Sequence, residues 1–127
     1  MNDKSAYTNG MATRRQVMGD EFVDRAIDRT TGTASEELQR HITEHVWDGV
    51  WNRPGLSRRD RSLLNLGMLT ALRAYEELAG HVRGALTNGF TRDEIVEAII
   101  QTAGYCGAPA SLAAMRTVQQ VFDATDC

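Results

Sequence analysis

The amino-acid sequence predicts an all-α fold, a single domain spanning 1–127 and built of about six helices. Three observations carry this. Capping signatures of the form Ser/Thr-x-x-Glu/Asp/Gln recur ahead of apolar-periodic segments, at Thr13/Gln16, Thr33/Glu36, Ser57/Asp60 and Thr91/Glu94. Glycine and proline fall between those segments, where helices stop. The alternating apolar and polar runs that mark strands are weak.

Each element follows in order. The first helix is expected over about 5–18, ahead of Gly19, with residues 1–10 polar and prone to fray. "DEFVDRAIDR" supplies the second, about 20–29, before Gly32 in a Thr-rich turn. The third runs about 34–51 and ends at Pro54-Gly55. A long segment follows at 58–87, with an interruption expected near Arg73–Tyr75. Within it "SLLNLGMLTAL", Ser62 to Leu72, is apolar on most sides and reads as the buried central helix. "TNGFT" at 87–91 closes the segment, with Gly89 as a left-handed C-terminal cap. The last two helices, about 92–105 and 109–124, carry one apolar stripe each, and Pro109 sits near the first position of the second.

Composition narrows the function. The net charge is −3, with 14 basic against 17 acidic residues, so the basic excess of a nucleic-acid surface is missing. No apolar run of about 18 residues offers a membrane span, and the N-terminus lacks the apolar core of a secretory signal. Cys106 and Cys127 form neither a disulfide framework nor a Cys-x-x-Cys motif, so a reducing cytoplasm is expected. All the basic residues but Lys4 are arginine, which suits bidentate carboxylate binding and equally an arginine-rich genome.

"HITEHVWDGVW", His41 to Trp51, holds the densest chemistry. Its H-x-x-E-H spacing matches the inverzincin peptidases and places His41 and His45 on one helical face. A catalytic zinc needs a third protein ligand, and the only other histidine is His81. No metal is expected. Trp47 and Trp51, also four apart, read either as packing anchors or, with His45, as an aromatic edge.

Beyond this motif, several blocks together are similar to the carboxymuconolactone decarboxylase family. They are His-x-Trp…Trp-x-Arg-Pro-Gly-Leu (45–56), Arg-Ser-Leu-Leu (61–64) and Glu-Glu-Leu-x-x-His (76–81). Asn-Gly-x-Thr-x-x-Glu-Ile (88–95), Tyr-Cys-Gly-x-Pro-Ala (105–110) and "RRQVMGDEFVDRA" (14–26) continue the match, which runs from about Tyr7 to Phe122. The resemblance implies an alkylhydroperoxidase-like helical fold, a homo-oligomer (trimer or hexamer) and decarboxylation of 4-carboxymuconolactone in protocatechuate breakdown. The peroxidase branch carries Cys-x-x-Cys ahead of its histidine. Here those positions are Ala74 and Glu77, so thiol chemistry lacks its nucleophile and its resolving partner. Departures at Trp47-Asp48-Gly49 and in the helix-lining stretches leave other readings open. These are another lactone or β-keto acid as substrate, or a non-catalytic helical oligomer.

The implied chemistry needs no cofactor, because the conjugated lactone carbonyl accepts the electron pair left by carbon dioxide. The protein must hold carboxylates, stabilise charge on the lactone oxygen and protonate a ring carbon. The resemblance assigns catalysis to His81 with Glu77, one helical turn apart, and expects the carboxylate to raise the imidazole pKa toward neutrality. His45 is a candidate donor to the lactone oxygen. Arg53 and Arg61 are candidate carboxylate clamps, and Trp47 and Trp51 candidate pocket walls. Arg58 and Arg59 read as solvated surface, and Cys106 as a small packed residue.

Overall fold

The computed structural model describes residues 3–125, with side chains from Ser5 onward. Cys127 and the first two residues lie outside this range. Among the described residues every regular element is helical: α1 (Asp3–Met18), α2 (Asp20–Thr30), α3 (Glu36–Ile42), a π-helical segment (Thr43–Asp48), α4 (Arg58–Ala71), α5 (Tyr75–Thr87), α6 (Arg92–Cys106) and α7 (Ala108–Thr125). They fall into two compact units, divided after Arg58.

In the first unit, α1 lies against the π segment. Gly10 is buried at that contact and allows the close approach. Val17 and Met18 of α1 pack with Val23 of α2 and with Trp47 and Trp51. Arg58 closes the unit, donating to Gln16, to Thr13 Oγ1 at 3.3 Å and to Asn52 Oδ1 at 3.2 Å. It is exposed, as expected, and its guanidinium also bridges side chains of α1 and the 49–57 stretch. Thr13 does not open a helix. It sits inside α1, donating to the Asn9 carbonyl at 3.0 Å. Thr33 and Glu36 order the turn before α3 instead: Thr33 Oγ1 accepts from Ser35 N–H, and Glu36 from Gly32 N–H.

In the second unit, Leu66 of α4 meets Leu78, Val82 and Ala85 of α5, Ile95 and Ile99 of α6, and Val118, Val121 and Phe122 of α7. The helix ends are built locally. Thr91 and Glu94 form the complete reciprocal capping box at the start of α6. Phe90 N–H bonds the Ala85 carbonyl and Gly89 N–H the Leu86 carbonyl, with Gly89 at φ 95°. That is the Schellman closure, and glycine meets its left-handed position without a Cβ clash. The same pair of bonds ends α4: Ala74 N–H to Leu69 O, and Arg73 N–H to Thr70 O. Here the left-handed residue is Arg73, at φ 57°, and it makes the interruption expected in the 58–87 segment.

The burial expected of 62–72 is corrected by the structure. Only Ser62, Leu66 and Thr70 of α4 are buried, while Leu64, Met68 and Leu72, one turn apart, are 54%, 46% and 75% exposed. A helix that is apolar all round reads as buried, but the described chain covers only one of its faces. The 34–51 helix is also shorter than expected. It widens into the π segment at Thr43, and the N–H groups of Val50 and Trp51 both reach the Val46 carbonyl, which ends it.

Candidate functional site

α5 carries His81 and Glu77 in the second unit. The helix starts at Tyr75 because the left-handed Arg73 has just ended α4, and it buries Leu78, Gly80, Val82, Gly84 and Ala85 against the core. That face carries His81 into a half-buried position, while Glu77 stays exposed one turn earlier. Burial pushes the His81 imidazole down to about 4, and the Glu77 charge offsets only part of this. The expectation of an imidazole raised toward neutrality is therefore corrected. Desolvation outweighs the single exposed carboxylate and favours the neutral imidazole. Arg61 is half-buried near the start of α4, in the same unit.

His45, Trp47, Trp51 and Arg53 belong to the first unit. His45 is exposed on the π segment, its ring 4.3 Å from that of His41. Among the described residues no three His, Cys, Asp or Glu side chains are grouped to hold a metal, and Glu44 is taken up by Arg40 at 3.2 Å. Trp47 and Trp51 stack with ring centroids 5.1 Å apart. They are 8% and 6% exposed and pack in the core of the unit. Arg53 is exposed. Cys106 is a half-buried free thiol at the end of α6.

Each unit has a cleft, and their charges differ. The second unit's cleft, about 760 Å³, lies between α4 and α6. Leu63, Leu64, Phe90 and Ala98 give it an apolar floor, and Asp60, Asp93, Glu94 and Glu97 surround it. Its one cation, Arg59, lies 4.0 Å over the Phe90 ring and is bonded to Glu94. A doubly charged acid is repelled by such a rim. Neither His81 nor Glu77 lines it.

The first unit's cleft, about 440 Å³, is lined from α1 by Tyr7, Met11 and Arg14, and from the other side by Ile27, Thr30, Arg40 and Thr43. Arg14 is 7% exposed. Burial lowers its pKa, and nearby Tyr7 partly compensates. The sequence reading missed this residue. Arg14 and Arg15 look alike in sequence, but Arg15 holds Asp20 and Asp24 at 3.1 and 2.8 Å. The signal was helical spacing. Gly10, Thr13, Arg14, Val17 and Met18 form one buried stripe, which puts an arginine where α1 is otherwise small or apolar.

The model of the carboxymuconolactone decarboxylase family matches residues 36–120. The chain is 38% identical to the 4-carboxymuconolactone decarboxylase of Acinetobacter baylyi over 122 residues, 96% of this chain and 90% of that protein. It is 41% identical to the nitrosuccinic acid decarboxylase of Metarhizium robertsii over 117 residues, 92% of this chain and 81% of that protein. It is also 33% identical to a 15.0 kDa protein of Paracoccus denitrificans, described only as uncharacterised, over 83% of this chain and 77% of that one.

Proposed function

The chain belongs to the carboxymuconolactone decarboxylase family, and on that footing we propose that it decarboxylates 4-carboxymuconolactone to the β-ketoadipate enol-lactone, without a cofactor, in the cytoplasmic breakdown of protocatechuate. The observation that carries the reading is near-full-length similarity to two decarboxylases. The acids in their names share a chemical feature. Each holds an electron-accepting group of its own, an unsaturated lactone in one and a nitro group in the other. The bond to the carboxylate breaks, its electron pair moves into that group, and carbon dioxide leaves. The anion then takes one proton on carbon. A polypeptide of ordinary side chains suffices for this.

His81 is the proton donor in this reading, with Glu77 favouring its charged form and Arg61, near the positive end of α4, holding a carboxylate. A neutral imidazole with a pKa near 4 must first gain a proton. Three pKa units correspond to about 4 kcal/mol. One substrate carboxylate about 4 Å away, at the effective dielectric of a protein site, supplies about 4 kcal/mol. The substrate thus lifts its own acid into the working range.

The deciding experiment is incubation with freshly generated 4-carboxymuconolactone, following carbon dioxide release and lactone absorbance, before and after exhaustive chelation. Equal turnover in both arms is expected. Activity lost with a stoichiometric metal and restored by it would overturn the cofactor-free assignment. Nitrosuccinate belongs in the same assay, because the 41% identical relative is named for it. Turnover of nitrosuccinate with none of the lactone would move the assignment to the second acid.

The working protein is proposed to be a homo-oligomer, a trimer or hexamer, of one two-unit domain; the family match spans the division at Arg58. The exposed Leu64, Met68 and Leu72 stripe supports a second copy against α4. Light scattering at micromolar concentration is expected to give a multiple of 14.1 kDa, and a monodisperse monomer would count against the assembly. Among the described residues no helix is long and apolar enough to cross a membrane.

A further inference from the structure

A buried guanidinium is rarely left alone. Burying an ion is costly unless a partner or a hydrogen-bond network compensates. Arg14 is more than nine-tenths buried, and among the described residues no carboxylate forms an ion pair with it; nearby Tyr7 offsets only part of the effect of burial. It nonetheless lines the first unit's cleft. The other donors there are neutral, the Tyr7 hydroxyl and the Gln39 amide among them, apart from Arg40. The hydroxyls of Thr30, Thr31 and Thr43 are already donated to the carbonyls of Ala26, Ile27 and Gln39. Arg40 adds a second positive charge, its Nε held by Glu44 and its guanidinium 5.2 Å over the Tyr7 ring. Glu36 and Glu37 also line the cleft, but both are exposed, and Glu36 accepts from Gly32 N–H. The charge waiting in the interior is therefore positive. Met11 and Ile27 supply an apolar wall beside it.

We propose that this cleft is a binding site for a small organic carboxylate, with the Arg14 guanidinium as its bidentate partner. The ligand completes the ion pair that the chain omits. Its volume of about 440 Å³ falls within the range of small-molecule sites. The apolar wall selects an acid with a carbon body over a bare inorganic ion. The inference stands apart from the substrate assigned above, because the same chemistry serves either the acid being decarboxylated or a separate carboxylate that binds without reacting.

The test uses paraconate, a saturated five-membered lactone carboxylate that lacks the conjugation needed to react. Its binding is measured by titration calorimetry on the intact protein and on Arg14→Gln, Arg14→Met and, as a control, Arg25→Gln, whose exposed side chain holds Glu21 on α2. Wild type and the control are expected to bind it. Both Arg14 variants are expected to bind roughly 10- to 100-fold more weakly, the usual loss for a charge-assisted hydrogen bond. Arg14→Met should fold and melt at or above the wild-type temperature, since it removes a buried charge and keeps the length of the side chain. Paraconate should raise the melting temperature of wild type and leave that of Arg14→Met unchanged. A KM raised tenfold or more in Arg14→Gln, with paraconate competing, identifies the ligand as the reacting acid. An unchanged KM with non-competitive paraconate identifies a separate carboxylate. Equal binding by folded Arg14→Gln, or no binding by wild type, overturns the site. So does a change of subunit number in Arg14→Gln, which would mean that a carboxylate of a second copy fills the cleft.

Discussion

Replacing His81 with alanine is expected to lower turnover of 4-carboxymuconolactone by roughly 10²–10⁴-fold, the usual contribution of a positioned general acid, with helicity and subunit number unchanged. The pH profile makes the assignment specific. In the folded enzyme before substrate binds, the buried His81 imidazole has a pKa of about 4, so above that value the charged form falls tenfold per pH unit, and kcat/KM is expected to fall with it. In the complex the substrate charge holds the proton, so kcat should stay level up to about pH 7 and decline above it. His81→Ala should flatten both slopes. Glu77→Gln should lose less, because Glu77 only offsets part of the burial, and exposed His45→Ala should lose least. Single-turnover decay in the three variants checks the order. Wild-type decay in His81→Ala would remove it as donor. A stability signature runs in parallel. The unfolded chain takes up this proton near 6.5 and the folded chain only near 4. The folded state therefore loses stability as pH falls through that window, by up to about 3 kcal/mol.

The second large effect is structural. Gly10→Ala should cost about 3 kcal/mol or more, read as a lowered denaturant midpoint. A Cβ at Gly10 would stand 2.0 Å from the Thr43 carbonyl oxygen and 3.1 Å from the Asp48 nitrogen. Both are backbone atoms, so neither can swing aside as a flexible side chain would. Relief requires α1 to lift off the π segment, which disturbs the packing of Val17 and Met18 on the two tryptophans. An unchanged midpoint would show that α1 and the π segment do not pack this closely in solution.

Much of the fold was legible because its punctuation is local. The Thr91–Glu94 box, the Gly89 cap and the break at Arg73 are each written within six residues, and each is where the sequence puts it. The burial of α4 was not legible. Leu64, Met68 and Leu72 are as apolar as Leu66, and sequence does not say which neighbour covers which face. The same limit applies to the site. Glu77 beside His81 suggested a raised pKa, but the sign is set by how deeply the rest of the unit buries the ring. Arg14 was hidden for the opposite reason. Its residue type suggests surface, and only its register with Gly10, Val17 and Met18 points inward.

The turn at Arg73 also sets a direction for laboratory evolution. A left-handed backbone costs a residue with a Cβ about 1 kcal/mol or more, and glycine escapes that cost. Every arginine codon lies a single nucleotide from a glycine codon, so the relief is within reach of ordinary random mutagenesis. Arg73 is exposed on the turn between α4 and α5, and its replacement removes no buried packing. A library screened for heat resistance should therefore return Arg73→Gly among its earliest survivors. The gain would come from backbone freedom alone, with both capping hydrogen bonds of the turn kept.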